Sequence, residues 1–372
     1  MSECTSKAVP LRDKVLGVVD DYGVSEDGLL YPVYKNVRSS ICLPSWSECV
    51  KKETFQEIRT SVKSVVLNEG LKKICNEGFG YCEGITKIII PSSVFELESS
   101  AFWKCSSLSE VILPLGLKSI GIFCFYSCQS LKSIEIPDTV TAIGDSAFEV
   151  CIELETVSLP RDLAIFSSSC FAWCSKLKEV KIPDLVKTLP DKVFYSCNSL
   201  KTVTLGSGIQ VLGAKCFYRC TSLENINISN KVYEIGNNCF NSCESLLSID
   251  LPDSVKVILE NAFDGCQHLK RVKLSKSMTS IPDYCFGNCE YLETIKIPDS
   301  VTEIGSFAFS YCKSLRSVKF SRNLEIIRNK SFEWCTSLEN ITIPMSVKSI
   351  DKDAFVGTSY DSAVKAGKLH AQ

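Results

Sequence analysis

The chain has 372 residues, of which 45% are hydrophobic, 41 are basic and 43 are acidic, giving a formal net charge of −2. This balance provides no overall attraction toward nucleic acid or an anionic membrane. No apolar run reaches the roughly 20 residues of a membrane-spanning helix, so we expect no membrane span. Residues 1–10 lack the apolar core of a secretory signal, and we therefore expect no conventional export if the chain is full length.

The first 61 residues fit no internal period. Their pattern predicts two helices, around Leu11–Asp20 and Trp46–Arg59. We interpret residues 1–61 as a non-repeat, helical N-terminal cap of the array that follows.

Thirteen of the 19 phenylalanines then follow one another at steps of 23 residues, without insertion or deletion. A fixed period in this range is typical of a stacked solenoid, whose stability depends on contacts between neighbouring units. The members of this phenylalanine column are Phe79, Phe102, Phe125, Phe148, Phe171, Phe194, Phe217, Phe240, Phe263, Phe286, Phe309, Phe332 and Phe355.

Each unit contains a short alternating segment, exemplified by Ile134-Glu135-Ile136. Such alternation predicts a strand with one buried face, and the proline that follows ends it because proline has no N–H donor. Gly144 then permits a turn, and Asp145 is placed to cap a short helix that carries Phe148.

The predicted fold class is therefore α/β: a leucine-rich-repeat solenoid, built as a curved right-handed stack of strand, turn and short-helix units. The array is expected to span residues 62–358. Residues 359–372 are expected to form a helical C-terminal cap.

The repeated pattern, seen in Ile143-Gly-Asp-Ser-Ala-Phe148-Glu-Val-Cys151 and Ile304-Gly-Ser-Phe-Ala-Phe309-Ser-Tyr-Cys312, resembles the BspA-type leucine-rich repeats. The resemblance covers roughly residues 62–358. It implies a surface antigen or adhesin that binds host proteins or other cells, and it brings no catalytic motif.

Twelve of the 21 cysteines lie three residues after a phenylalanine of the column, and five more lie directly before one. A metal site needs thiolates that converge on one point, whereas these recur one per unit along a line. We interpret them as small buried fillers whose thiols donate weakly to a neighbouring carbonyl. Cys4, Cys42, Cys49 and Cys75 lie outside both columns and are the better candidates for redox chemistry.

No nucleophile elbow, phosphate-binding loop or His-Glu-x-x-His motif is present, so we expect neither an enzyme nor a cofactor or metal site. Recognition of a partner is expected on the exposed strand positions. There Lys273, Lys296 and Lys319 occupy three successive units, with Arg271 beside them. Like charges on neighbouring strands oppose folding. Either this stripe binds an acidic protein or a sulfated glycan, or Asp250, Glu293 and the flexible lysine stems solvate it.

Two other surfaces have competing interpretations. Ile89 and Ile112 point outward on the same strand face and are expected to dock the N-terminal cap. Aromatic residues beside the phenylalanine column, such as Tyr195 and Tyr218, either bind a partner or cover the seams between units.

Two functions remain open from the sequence. The family resemblance favours a surface protein that recognises a host or cell-surface partner. The missing signal and the many thiols favour an intracellular scaffold that binds cytosolic proteins. The oligomeric state is not indicated.

Overall fold

A computed structural model describes residues 19–37, 39–339 and 341–361. The chain divides into two compact units, Met1–Leu177 and Lys178–Gln372. Within each unit, coils of about 23 residues stack through parallel strands, so the predicted solenoid of 23-residue repeats is confirmed. One coil consists of a two- or three-residue strand, a turn, a two-residue strand and a series of tight turns around the phenylalanine.

The first unit opens with an antiparallel hairpin of β1 (Asp21–Val24) and β2 (Leu30–Val33). Its coils then contribute two columns of parallel strands. The first column is β3 (Ser40–Cys42), β5 (Ser64–Val66), β7 (Lys87–Ile89), β9 (Glu110–Ile112), β11 (Ser133–Glu135) and β13 (Thr156–Ser158). The second column, one continuous six-stranded sheet, is β4 (Cys49–Val50), β6 (Lys73–Ile74), β8 (Glu96–Leu97), β10 (Ser119–Ile120), β12 (Ala142–Ile143) and β14 (Ile165–Phe166).

The second unit has the same two columns. Its first column is β15 (Glu179–Lys181), β17 (Thr202–Thr204), β19 (Asn225–Ile226), β21 (Ser248–Asp250), β23 (Arg271–Lys273), β25 (Thr294–Lys296) and β27 (Ser317–Lys319). Its second column is β16 (Thr188–Leu189), β18 (Val211–Leu212), β20 (Glu234–Ile235), β22 (Val257–Ile258), β24 (Ser280–Ile281), β26 (Glu303–Ile304), β28 (Ile326–Ile327) and β29 (Ser349–Ile350).

The phenylalanine column forms the core of both units. Phe102 and Phe125 stack with ring centroids 5.1 Å apart, and Phe240 and Phe263 with centroids 5.3 Å apart. Because each ring is fully buried between its neighbours, a single coil could not shield its own ring from water.

The prediction of a short helix in every unit is wrong. The helical residues of the described ranges are α1 (Lys52–Phe55) and residues 359–361. The segments around the phenylalanines are consecutive turns instead, which makes the fold a β-solenoid rather than an α/β one.

The backbone explains why no helix forms there. Ser146 and Val150, on either side of Phe148, have φ values of 54° and 63°, a left-handed conformation that interrupts a right-handed helix. Their amides and that of Phe148 donate to carbonyls of the next coil, over 2.9 to 3.0 Å, instead of to a helical partner. The expected helix-capping residue Asp145 likewise accepts from the Ser168 amide of the next coil.

Gly144 also has a different role from the predicted one. Its φ is not in the left-handed region, but an added Cβ would lie 2.6 Å from the backbone nitrogen of Ile122 in the preceding coil. Glycine is therefore required here for close packing of two backbones rather than for the turn itself.

The segment before residue 62 differs from the helical cap that we expected. Its strands β3 and β4 pair in parallel with β5 and β6, and Phe55 packs against Phe79 with centroids 5.0 Å apart and the rings tilted by 30°. Tyr34 stacks on Phe55 in turn. The predicted helix around Trp46–Arg59 is reduced to α1, and most of the one around Leu11–Asp20 lies outside the described residues, as do residues 362–372 of the predicted C-terminal cap.

The cysteine column links each coil to the one before it. The Sγ of Cys128 donates to the carbonyl of Phe102 over 3.2 Å, and the Sγ of Cys243 donates to the carbonyl of Phe217 over 3.2 Å. Each of these carbonyls also accepts the backbone amide of the cysteine in its own coil. The interpretation of these residues as buried thiol donors is therefore confirmed, and the described cysteines are free thiols.

Burial makes these thiols unreactive. Desolvation raises the pKa of Cys151 to about 12 and raises the pKa of Cys243 well above its ordinary value. Because the thiolate is the nucleophilic and metal-binding form, these groups have little chemistry at neutral pH.

Replacing a stacked phenylalanine should destabilise the fold strongly. We expect Phe240→Ala to lower the free energy of unfolding by about 3–5 kcal/mol, because the cavity lies between two rings that cannot close over it. Urea denaturation followed by circular dichroism measures this loss. Phe95, which is 47% exposed, is the matched control, and Phe95→Ala should cost less than about 1 kcal/mol. Equal losses in the two variants would contradict the proposed role of the column.

Stability should fall at alkaline pH because of the raised thiol pKa values. An unfolded thiol ionises above about pH 8.5, whereas the folded Cys151 keeps its proton to about pH 12. Between these values each such thiol should remove about 1.4 kcal/mol of stability per pH unit. In Cys151→Ser, the loss between pH 8 and pH 10 should be about 2 kcal/mol smaller than in the unsubstituted protein. Parallel pH curves for the two proteins, measured by urea denaturation under reducing conditions, would refute this.

Candidate functional site

The four residues that the sequence singled out for partner binding lie together in the second unit. Arg271, Lys273, Lys296 and Lys319 line one open groove with a volume of about 890 Å³. We call this cavity the lysine groove. It crosses three successive coils, and its position follows from the strands β23, β25 and β27, which carry these residues on their exposed face.

Alternation along the strands directs these side chains outward. In β25, Ile295 is 3% exposed and faces the core, so Lys296 on the next position points to solvent. Lys296 and Lys319 are register partners in the parallel pair β25–β27, which places them side by side. The 23-residue period therefore converts three residues that are distant in sequence into one column of cations.

The groove also contains two cations that the sequence analysis missed. Lys276 and Arg322 line it on the side beyond the strands. Each lies thirteen residues after a phenylalanine of the column, so the same period would have revealed them had that position been compared between units.

The carboxylates near the groove are engaged by the flanking cations. Arg322 donates to Oδ2 of Asp299 from Nε over 2.8 Å and from a terminal nitrogen over 2.6 Å. This contact with Arg322 is the main reason why the pKa of Asp299 lies below its ordinary value. A longer ion pair, of 3.7 Å, joins Arg271 to Asp250.

The three central lysines have no such partner. Among the residues that the structure describes, the ammonium groups of Lys273, Lys296 and Lys319 make no hydrogen bond or ion pair. The sequence offered Asp250 and Glu293 as neutralising groups, but Asp250 pairs with Arg271, and Glu293 forms no ion pair with a described lysine. The centre of the groove therefore has net positive charge, although Asp253 and Asp299 attract Lys273 and Lys296 electrostatically without direct contact.

The groove also has apolar surface. Ile297, Pro298 and Phe320 line it, but Ile297 and Phe320 are only 2% and 8% exposed, so the partly exposed Pro298 and the lysine stems supply most of this carbon surface. A ligand in the groove could thus meet both positive charge and carbon surface.

The other predicted surfaces are less concave. Ile89 and Ile112 are register partners in the pair β7–β9 and remain 55% and 44% exposed, so described residues 19–61 do not cover them. The stacking of Tyr195 on Tyr218, with centroids 4.9 Å apart, is consistent with aromatic residues that cover seams between coils.

The structure also shows where the other candidate chemical groups lie. Within it, no group of three or more His, Cys, Asp or Glu side chains converges on a possible metal position. His268 is exposed, stacks on Tyr291 and lies 2.8 Å from the carbonyl of Glu244 through Nδ1. Cys42 is exposed, whereas Cys49 and Cys75 are buried. No helix of the described ranges combines the length and apolarity needed to cross a membrane.

The chain is similar to two proteins whose crystal structures are known. A leucine-rich repeat protein from Bacteroides ovatus, known from its crystal structure, is 30% identical over 91% of this chain and 90% of its own, with a TM-score of 0.82. The pneumococcal vaccine antigen PcpA is 19% identical over 94% of this chain and 96% of its own, with a TM-score of 0.48. No curated protein matches the sequence.

The family comparison extends over nearly all of the described chain. The model of the BspA type leucine rich repeat region matches residues 34–155, 118–246 and 233–361. These ranges include the coil at residues 40–61 and both strands of every later coil. The chain therefore belongs to the BspA-type leucine-rich repeat family.

Proposed function

We propose that this protein is a non-enzymatic recognition module that binds an acidic ligand in the lysine groove. Leucine-rich repeat proteins are generally protein-interaction modules, and no enzyme family is indicated for this chain. The observation that carries the proposal is a column of three lysines in a concave surface that form no direct ion pair with any described residue. Arg271, Lys276 and Arg322 flank this column, each in an ion pair with a carboxylate, so the three lysines supply the net positive charge that would attract a ligand.

The energetics favour binding over a structural role for the column. Adjacent like charges oppose folding, so the lysines weaken the stack that carries them. An acidic ligand would relieve this repulsion and would gain three charge-assisted contacts. Such contacts are screened by salt over a Debye length of roughly 8 Å at physiological ionic strength, so binding should weaken as salt rises.

We further propose that the ligand belongs to a host or another cell, with this protein at the cell surface. The family resemblance supports this location, since its members are commonly described as surface antigens or adhesins. The buried thiols are compatible with it, because their raised pKa values protect them from oxidation.

An intracellular scaffold is the alternative, and one observation favours it. Cys42 is an exposed free thiol, a state that persists more readily in a reducing compartment. Both alternatives use the same groove and differ only in the source of the acidic protein.

Reversing one charge at the centre of the groove should reduce binding of an acidic probe. We expect Lys296→Glu to weaken binding of a fluorescently labelled poly-glutamate peptide by about ten-fold or more, measured by fluorescence anisotropy at low and physiological salt. Lys181→Glu is the matched control, because Lys181 occupies the same exposed strand position in β15 but lies outside the groove. Equal effects of the two substitutions would show that only net charge matters and would contradict the site.

The location can be tested on intact source cells with a membrane-impermeant, lysine-reactive reagent. The surface proposal requires labelling of this protein while cytosolic marker proteins stay unlabelled. Labelling that appears only after permeabilisation would reject the surface role and leave the scaffold alternative.

A further inference from the structure

The spacing of the lysine column restricts the shape of the ligand. The rings beneath the column are 5.3 Å apart between Phe263 and Phe286 and 5.5 Å apart between Phe286 and Phe309. Adjacent parallel strands lie about 4.8 Å apart at the surface. The backbone positions of the three lysines therefore repeat at roughly 5 Å along the stack, perpendicular to the strands.

Two common peptide conformations present acidic groups at different intervals. One face of an α-helix repeats every turn, which is about 5.4 Å. One face of an extended strand repeats every second residue, which is about 6.6 Å. Over the two steps from Lys273 to Lys319, the mismatch with the column is about 1 Å for the helix and about 3 Å for the strand.

The backbone of the groove argues against strand addition as well. The amide of Ile297 already donates to the carbonyl of Lys319 over 2.8 Å, and Lys296 and Lys319 belong to paired strands. Within the β25–β27 pair these backbone groups are already bonded to each other, so a ligand that crosses this pair contacts side chains and does not add to it by β-augmentation.

The distribution of apolar residues fits a helix that is acidic on one stripe. Pro298 lines the groove beside the lysine column and is partly exposed, whereas the neighbouring Ile297 and Phe320 are buried in the core. An amphipathic helix that lies along the groove would place carboxylates on the column and carbon atoms against Pro298 and the lysine stems. The three coils span about 10 Å between the outer lysines, which is close to two helical turns.

We infer that the ligand of the lysine groove is an acidic α-helical segment of a partner protein, with carboxylates at positions i, i+3 or i+4, and i+7. The segment lies along the stack and across the strands β23, β25 and β27. This inference rests on the proposed function of the groove and adds the conformation and the charge spacing of its ligand.

The test compares end-capped peptides of identical composition and about 20 residues, a length at which a helix can form. One peptide carries glutamates at i, i+4 and i+7, and the other at i, i+2 and i+4. A third has the helical spacing with a central proline, which breaks a helix. Heparin-derived oligosaccharide is the non-peptide probe. Affinity is measured by anisotropy or competition, and helix content by circular dichroism.

The inference predicts that the helix-spaced peptide binds about ten-fold tighter than the strand-spaced peptide and gains helical signal on binding. The proline variant should lose this advantage. Lys296→Glu should remove the preference, and Lys181→Glu should leave it intact.

Two other results have distinct meanings. Equal binding of the helix-spaced and strand-spaced peptides, or tighter binding of the oligosaccharide than of either, with sensitivity to Lys296→Glu, would overturn the helical inference and leave the groove as an anion-binding site. Absence of binding by every anionic probe, or identical effects of Lys296→Glu and Lys181→Glu, would overturn both the inference and the proposed function.

Discussion

The stacking of one phenylalanine ring on the next is the interaction on which the other features of each unit depend. It sets the rise of about 5 Å between coils, seen for example in the 5.2 Å between Phe125 and Phe148. With that rise fixed, residues 23 positions apart become neighbours. The cysteine thiols then reach the carbonyls of the preceding coil, and surface residues align in columns. The lysine groove therefore depends on the 23-residue spacing of the core as well as on the residues that line it.

Periodic features could be predicted because each repeats many times. The alternation around Ile134 predicted a strand, and the recurrence of Lys273, Lys296 and Lys319 predicted a common face. Both follow from a side-chain period of two in strands and from the constant 23-residue step. Whether a groove exists between the columns depends on the bend of the backbone after each strand. That bend places Lys276 and Arg322 beside the lysine column, and the sequence of a single unit does not reveal the bend.

The errors have equally specific causes. Ala147, Phe148 and Cys151 have the spacing of a helical face, but left-handed residues at Ser146 and Val150 convert the segment into turns. Serine and valine carry no sequence signal for positive φ, since such conformations are usually reserved for glycine and asparagine. The coil before residue 62 was missed because Phe55 and Phe79 are 24 residues apart and Tyr34 replaces the preceding phenylalanine, which hides both from a strict 23-residue search.

The link from each cysteine thiol to the phenylalanine carbonyl of the previous coil limits how such an array can change length. A single residue inserted between Cys243 and Cys266 would displace Cys266 from the carbonyl of Phe240 unless the coil could loop the extra residue out, as the 24-residue step from Phe55 to Phe79 does. Gain or loss of an entire coil disturbs no such contact except at the junction. Genetic duplication and deletion should therefore act on whole coils. A binding surface can then be widened, narrowed or moved in steps of one coil, while the surface residues of each coil are kept.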